Sequence, residues 1–350
     1  MKLGSLANAA RQILGLLTIA AGPAFLMIVF VHDARAGSLA FDFHIGLVTA
    51  SRFVHGHPLY GHGSPVYYVY PPFYAESLTP FLLVPVSVAR WIAALASAGF
   101  VVAGLFRLGV RDLRAIGVAL LWPPVVHGCE VANASFVVFL LIAFAWRGGW
   151  VAMGLAAALK LVAWPLLLWQ AAARGLRPAI ASAFLAVGLI LGSWAFVGFE
   201  GLGAYPRFLQ SVGASQGALG YSVSAAFSGG RIVAIVVALA ALWRGWARVR
   251  ARDEVGGIAY AVVAMLAAAP YVYDNYFTAA LIPLALRRPR LSAAWLFPLA
   301  FWLDGSGVTP TLEAKMLAWT VFGALLVWLG EGAPRQILWS RGTQTSLDAA

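Results

Sequence analysis

Asp42, Arg52 and His55 open the chemistry of this chain. They lie in a segment, residues 41–55, that can form a helix with its apolar face on a membrane surface. In that helix Arg52 and His55 are three residues apart and share a face. Asp42 stands at its N-terminus, where a carboxylate is electrostatically favoured. Composition alone makes Asp42 a helix-end charge. Other ionisable or polar groups stand between apolar runs: Glu130 and Asn133, Lys160, and Asp274 with Asn275. Such groups are costly at membrane depth and read by default as functional. A carboxylate can take a proton from a hydroxyl, and a cation can stabilise a phosphate leaving group. His44, Tyr60, Tyr67, Tyr68 and Tyr70 crowd the same stretch. Their plainer reading is an interfacial aromatic belt.

The elements that carry these groups follow from composition. The 350 residues are 62% hydrophobic and 11% charged, against about 25% charged in an average soluble domain. Mean hydropathy is +0.84. Apolar runs recur along nearly the whole chain, so a soluble fold and a single anchor are both excluded. The net charge of +11 is not a nucleic-acid signal, because the basic residues sit in short breaks between apolar runs, as the positive-inside rule requires. Cys129 is the only cysteine, so neither an intramolecular disulfide nor a thiolate metal cluster can form. His44, His57 and His62 lack the spacing of a helical metal pair or a compact zinc signature. No metal and no cofactor is expected.

If the arginine clusters at 107–114, 147, 174–177, 244–252, 287–290 and 335–341 all face the cytoplasm, an even number of spans separates each from the next. This predicts an all-α polytopic bundle of about twelve spans over residues 1–330, followed by a polar cytoplasmic tail at 331–350. The first span, about 13–32, is too long for a secretory h-region and is expected to be retained. A long outer loop at about 33–75 carries the interfacial helix. Spans three and four meet near His127–Glu130, five and six near Lys160, and nine and ten at Tyr273-Asp274-Asn275. Several of these are shorter than the roughly 20 residues a crossing needs. Short spans are tolerated around a shielded cavity, so a polar cavity opening outward is expected there. The basic residues outside the clusters, most acids and all six histidines fall toward the outer side.

Several motifs resemble glycosyltransferase family 87, which includes polyprenol-phosphate-mannose-dependent mannosyltransferases of the GT-C fold. They are the early Asp42 on a loop helix, Gly56-His57-Pro58-Leu59-Tyr60, Tyr70-Pro71-Pro72, Gly128–Asn133 before an apolar run, Ala156–Pro165 around Lys160, and Pro270-Tyr271 with Tyr273-Asp274. The likeness covers roughly residues 40–290. It departs from the family pattern at Glu130 and Asn133, which do not reproduce Gly-Gln-Asn, and at Leu161, which follows Lys160 where the family has a proline. The resemblance implies a GT-C-like bundle that moves a mannose-like hexose from a polyprenyl-phosphate donor to a hydroxyl of a glycolipid or glycan. The site would face the periplasmic or extracellular side of a bacterial-type inner membrane. It implies Asp42 as general base. Arg52, His55 and Lys160 are then the candidates for donor phosphate or sugar. His44, Tyr60, Tyr70, Glu130, Asn133, Asp274 and Asn275 are the candidates for cavity lining. The competing reading is a transporter or lipid flippase without chemistry, for which one-sided polar groups and the lack of two similar halves are unfavourable.

Overall fold

The computed structural model describes residues 3–60, 68–199, 201–216, 220–226, 228–304 and 310–332. His62, Tyr67, Glu200 and the tail beyond Gly332 lie outside the described residues. Within them the chain is helical, with no strand. In order the helices are α1 Leu3–Ala36, α2 Phe41–Val54, α3 Pro72–Ser77, α4 Val86–Leu108, α5 Leu113–Ala119, α6 Pro123–Glu130, α7 Ser135–Ala145 and α8 Trp150–Leu159. Then follow α9 Pro165–Arg174, α10 Leu176–Phe196, α11 Tyr205–Gln216, α12 Val223–Ala226, α13 Gly230–Arg250, α14 Glu254–Ala268, a 3-10 turn Asp274–Ala280 and α15 Leu281–Arg287. The last two are α16 Ala293–Leu303 and α17 Leu312–Glu331.

Five of these are long and apolar enough to cross a membrane: α1 from Gln12, α4, α10, α13 and α17. A sixth span exists if α6 and α7, which meet at 119°, count as one broken element. The three shorter apolar helices α8, α14 and α16 complete the apolar set. Five or six full-length spans among the described residues stand against the twelve expected. The difference is concentrated where the apolar runs are shortest. There each run between polar breaks forms a half-length helix that turns at the break. The helix expected at 41–55 is α2, and residues 70–87 hold α3 and a 3-10 turn at Thr79–Leu83.

One end of the bundle is tied by ion pairs. Asp253 is the N-cap of α14 and accepts from the Gly256 amide at 3.0 Å. Its other oxygen meets Arg248 of α13 at 2.5 Å and Arg287 of α15 at 2.6 Å. The carboxylate side chain is 2% exposed, and breaking a buried pair of this kind costs about 3–5 kcal/mol. Arg174 pairs with Glu254, Arg244 with Glu331, and Arg114 with Asp112. The fifteen residues of α14 then carry the chain about 22 Å from this end before it turns at Pro270.

The first span is docked by close backbone approach. A Cβ at Gly117 of α5 would collide with the backbone oxygen of Thr18 on α1, and one at Gly22 with the oxygen of Gly117. Small residues at such crossings are how membrane helices gain packing without a hydrophobic drive between them. Gly99 of α4, by contrast, faces open space. Gly117→Ala is therefore expected to destabilise the protein by about 1–3 kcal/mol, while Gly99→Ala stabilises it by about 0.5–1 kcal/mol through helix propensity. Thermal unfolding in detergent checks this; equal shifts of the same sign would contradict the packing.

Candidate active site

The site begins with two helix ends. The first amides of α2 have no partner within their own helix, nor do the last carbonyls of α6. Here they satisfy each other. The Ala40 amide donates to Glu130 O at 2.6 Å, and the Asp42 and Phe43 amides donate to Val131 O at 3.0 and 3.3 Å. The positive end of one dipole meets the negative end of the other.

α6 stops in a way that places Asn133. The Ala132 amide bonds Cys129 O at 3.1 Å and the Asn133 amide bonds Gly128 O at 3.0 Å. This is the paired pattern of a Schellman stop, with the left-handed residue normally filled by glycine. Ala132 fills it instead, with φ 49°, and Ala40, on the other side of the contact, has φ 55°. Both are buried, at 5% and 0% exposed. An L-residue held there costs about 1–2 kcal/mol.

From that position Asn133 bridges a carboxylate and an ammonium. Its Nδ2 donates to Asp42 Oδ2 at 2.5 Å and lies 3.3 Å from Tyr70 Oη. Its Oδ1 accepts from Lys160 Nζ at 2.9 Å, from the Ser135 amide at 2.9 Å and from Ser135 Oγ at 2.7 Å. The extended residue Lys160, between α8 and the 3-10 turn Leu161–Ala163, also donates to Ser135 Oγ at 2.6 Å. Its Nζ sits 3.7 Å from the centre of the Tyr276 ring. Lys160 is 5% exposed and Asn133 4%; a cation so deep is tolerable only when its N–H groups are satisfied in this way. Burial raises the Asp42 carboxyl above its ordinary value. The Asn133 hydrogen bond and the Lys160 charge oppose the rise, and the Asp274 charge adds to it.

A second group lies on the same α6. His127 Nδ1 is paired with Asp274 Oδ2, and Asp274 Oδ1 accepts from the Asn275 amide at 2.7 Å. The imidazole edge meets Trp302 at 5.7 Å between ring centres. Asn275 is buried, with its Oδ1 lacking a hydrogen-bond partner. Gly128 allows the 274–275 segment to lie on α6: a Cβ there would come within 2.8 Å of Asn275 Cβ. Glu130 stands one turn on from His127, beside the α2 contact.

A cavity of about 260 Å³ opens beside Lys160. Tyr70, Lys160, Tyr271 and Tyr276 supply its polar groups, and Leu161, Pro165, Leu209, Met265 and Pro270 are among its apolar walls. The expected polar cavity is thus mostly apolar, because the Lys160 head turns to Asn133 and Ser135. Three tyrosine hydroxyls hold the wall segment Val69–Pro71. Tyr205 donates to Val69 O at 2.8 Å, Tyr60 to Tyr70 O at 2.6 Å and Tyr68 to Pro71 O at 2.8 Å.

The sequence candidates therefore divide. Asp42, Asn133, Lys160 and Tyr70 form one network, with Asp274 in electrostatic reach. Of the residues expected to line a cavity, Tyr70 lines this one, while His44, Tyr60, Glu130, Asn133, Asp274 and Asn275 do not; Tyr60 stacks on Trp194 and braces the wall from behind. Arg52 and His55 do not join the network. Arg52 Nε donates to Pro58 O at 2.9 Å, and His55 Nδ1 contacts Ser51 O at 2.7 Å. Ten residues of helix put Arg52 about 15 Å along the axis from Asp42. His44 is held below the ordinary imidazole value by burial and by nearby Arg90, and its Nδ1 has no hydrogen-bond partner. Arg90 itself binds the turn carbonyls of Leu39 and Gly37. Ser135 and Tyr276 were not singled out from sequence. The available hint was position: Ser135 follows Asn133 by two residues, and Tyr276 follows Asp274-Asn275.

No curated protein and no solved structure matches the chain. A family model does, over residues 68–272, more than half of the sequence. The match takes in His127, Asn133, Ser135 and Lys160; Asp42 precedes it and Asp274 follows it by two residues. With an amide-bridged carboxylate and ammonium beside a cavity in an apolar helical bundle, that match fixes the class: the chain belongs to glycosyltransferase family 87.

Proposed function

We propose that this glycosyltransferase moves a mannose-like hexose from a polyprenyl-phosphate donor to an acceptor hydroxyl of a glycan or glycolipid, with inversion, on a GT-C-like scaffold. The observation that carries the reading is the Asp42–Asn133–Lys160 network, which reaches the cavity wall through Lys160. Asn133 occupies Asp42 Oδ2, which leaves Oδ1 for the acceptor. The acceptor O–H gives its proton to Oδ1 as its oxygen bonds to the anomeric carbon. The bond from that carbon to the phosphate oxygen breaks, and its electron pair leaves with the polyprenyl phosphate. That leaving group needs no proton, so one carboxylate suffices where a glycosidase uses two. Lys160, Tyr70, Tyr271 and Tyr276 make up the polar part of the cavity wall. The apolar remainder of the wall suits the lipid part of the donor.

The distribution of charge supports an outward-facing site in an inner membrane. Arginines gather at the end tied by Asp112, Asp253, Glu254 and Glu331, and positive charge marks the cytoplasmic side. The Asp42 network lies toward the other end of α14.

Two outcomes are expected of purified protein given polyprenyl-phosphate mannose and a range of glycan acceptors. The glycosidic bond in the product has the anomeric configuration opposite to the donor's, read by NMR; retention of configuration would rule out a single displacement. The acidic limb of the pH–rate profile lies above the ordinary carboxylate range of about 4, because the base works ionised and burial holds its carboxyl up. A limb at or below that range would contradict the assignment. The same assay ranks the side chains. Asn133→Ala is expected to cost at least about tenfold in turnover, since a misaligned base loses effective molarity steeply. Arg52→Ala is expected to stay within about threefold, as its hydrogen bond serves the loop turn. The reverse order would move the donor site to the far end of α2.

A further inference from the structure

An ammonium has three N–H groups and no acceptor. At Lys160 all three are engaged: one on Asn133 Oδ1 at 2.9 Å, one on Ser135 Oγ at 2.6 Å and the third directed to the Tyr276 face, 3.7 Å away. To ligate a phosphate in the cavity directly, Lys160 would have to give up one of them while 5% exposed. Asn133 is in the complementary position. Its amide can sit two ways, and only one is tolerable between these neighbours. With Nδ2 toward Asp42, every contact pairs donor with acceptor. Turned by half a rotation, Oδ1 would face a carboxylate oxygen and Nδ2 would face an ammonium and the Ser135 N–H. Lys160 and Ser135 supply the donors that exclude the turned form.

We propose that Lys160, together with Ser135, is a positioning residue: it locks the Asn133 amide in the orientation that donates to Asp42, and acts on transfer through that amide and not as a ligand of the donor phosphate. The proposal rests on Asp42 being the general base. Besides Lys160, the groups that act electrostatically on Asp42 or feel its charge are Asp274 from the 3-10 turn, Tyr70 and Tyr74 at and after the wall segment, and Tyr271. Lys160 is the cation among them. Removing either it or the amide bond lets the Asp42 carboxyl rise further.

The test uses the full-length protein in proteoliposomes with polyprenyl-phosphate mannose as donor. Ser135→Ala deletes a small hydroxyl and leaves all charges in place. It is expected to lower kcat by about fivefold, leave donor KM within about twofold, and move the acidic limb to higher pH. Lys160→Met is expected to lower kcat by about a hundredfold with the same upward limb and the same near-constant donor KM. A donor KM raised tenfold or more in Lys160→Met, with the limb unmoved and Ser135→Ala like the parent, would overturn the positioning role and make Lys160 a phosphate ligand. If Lys160→Met does not fold, Ser135→Ala decides alone: an unmoved limb and an unchanged kcat overturn the proposal. Asp42→Asn run alongside separates the two levels. Transfer that survives in it overturns Asp42 as base, and the positioning role with it. Loss in it, combined with the KM outcome, overturns the positioning role alone.

Discussion

The joining of α2 to α6 end to end is the contact on which the site depends. Three amides of one helix start and two carbonyls of one helix stop are brought together in an apolar bundle. Left unpaired there, each would carry a desolvation penalty of about 1–3 kcal/mol. The pairing locates Asp42 by its own backbone before any side chain is considered. It also explains two left-handed alanines. Ala40 turns the chain into α2, and Ala132 turns it out of α6, so that Asn133 faces the carboxylate it serves. The bend of 119° between α6 and α7 is the same stop seen at larger scale. The broken helix is thus what brings polar backbone and an amide into the apolar bundle, where an unbroken span would offer neither.

Charge in the molecule is divided by function. At one end, carboxylates meet arginines directly: Asp253 takes two, and Asp112, Glu254 and Glu331 each take at least one. Those pairs hold helices together. At the Asp42 end, a carboxylate meets an amide, and the ammonium stands on the amide's far side. A direct Asp42–Lys160 ion pair would hold the carboxyl low and occupy it. The interposed amide lets burial keep it raised. Asp274, paired with His127, adds negative potential nearby.

Local features were legible in the sequence, and long-range partners were not. The helix at 41–55 could be read because its charges and apolar residues follow a helical period, and α2 occurs within one residue of that range. A lysine between apolar runs marked position 160 as special, since a cation there must be partnered or snorkel. Which partner it finds depends on packing. Asn133 is 91 residues from Asp42 and 27 from Lys160, separations that no periodicity encodes. Arg52 and His55 share a face with each other and a loop with Asp42, yet the ten residues of helix from Asp42 to Arg52 carry them to its far end. The gap between twelve expected spans and the five or six long apolar helices among the described residues has a related reason. Apolar runs and polar breaks mark the helices but not whether a run crosses or turns back, and α6, α7, α8 and α9 each have eleven residues or fewer. Of the tyrosines read as an interfacial belt, Tyr60 and Tyr68 serve with Tyr205 as hydrogen-bonded braces for Val69–Pro71, a role set by where their hydroxyls land.

The central claim is that the helix-end contact and the Asn133 bridge present Asp42 as the base of sugar transfer. The most direct measurement is the single-turnover rate of Asp42→Asn, with protein amount and thermal stability matched to the parent. The account expects the chemical step to slow by at least about a hundredfold, the usual span of general-base assistance being about 10²–10⁴, and the acidic limb of the parent to vanish from what remains. A rate near the parent's, still rising through the same limb, would contradict it.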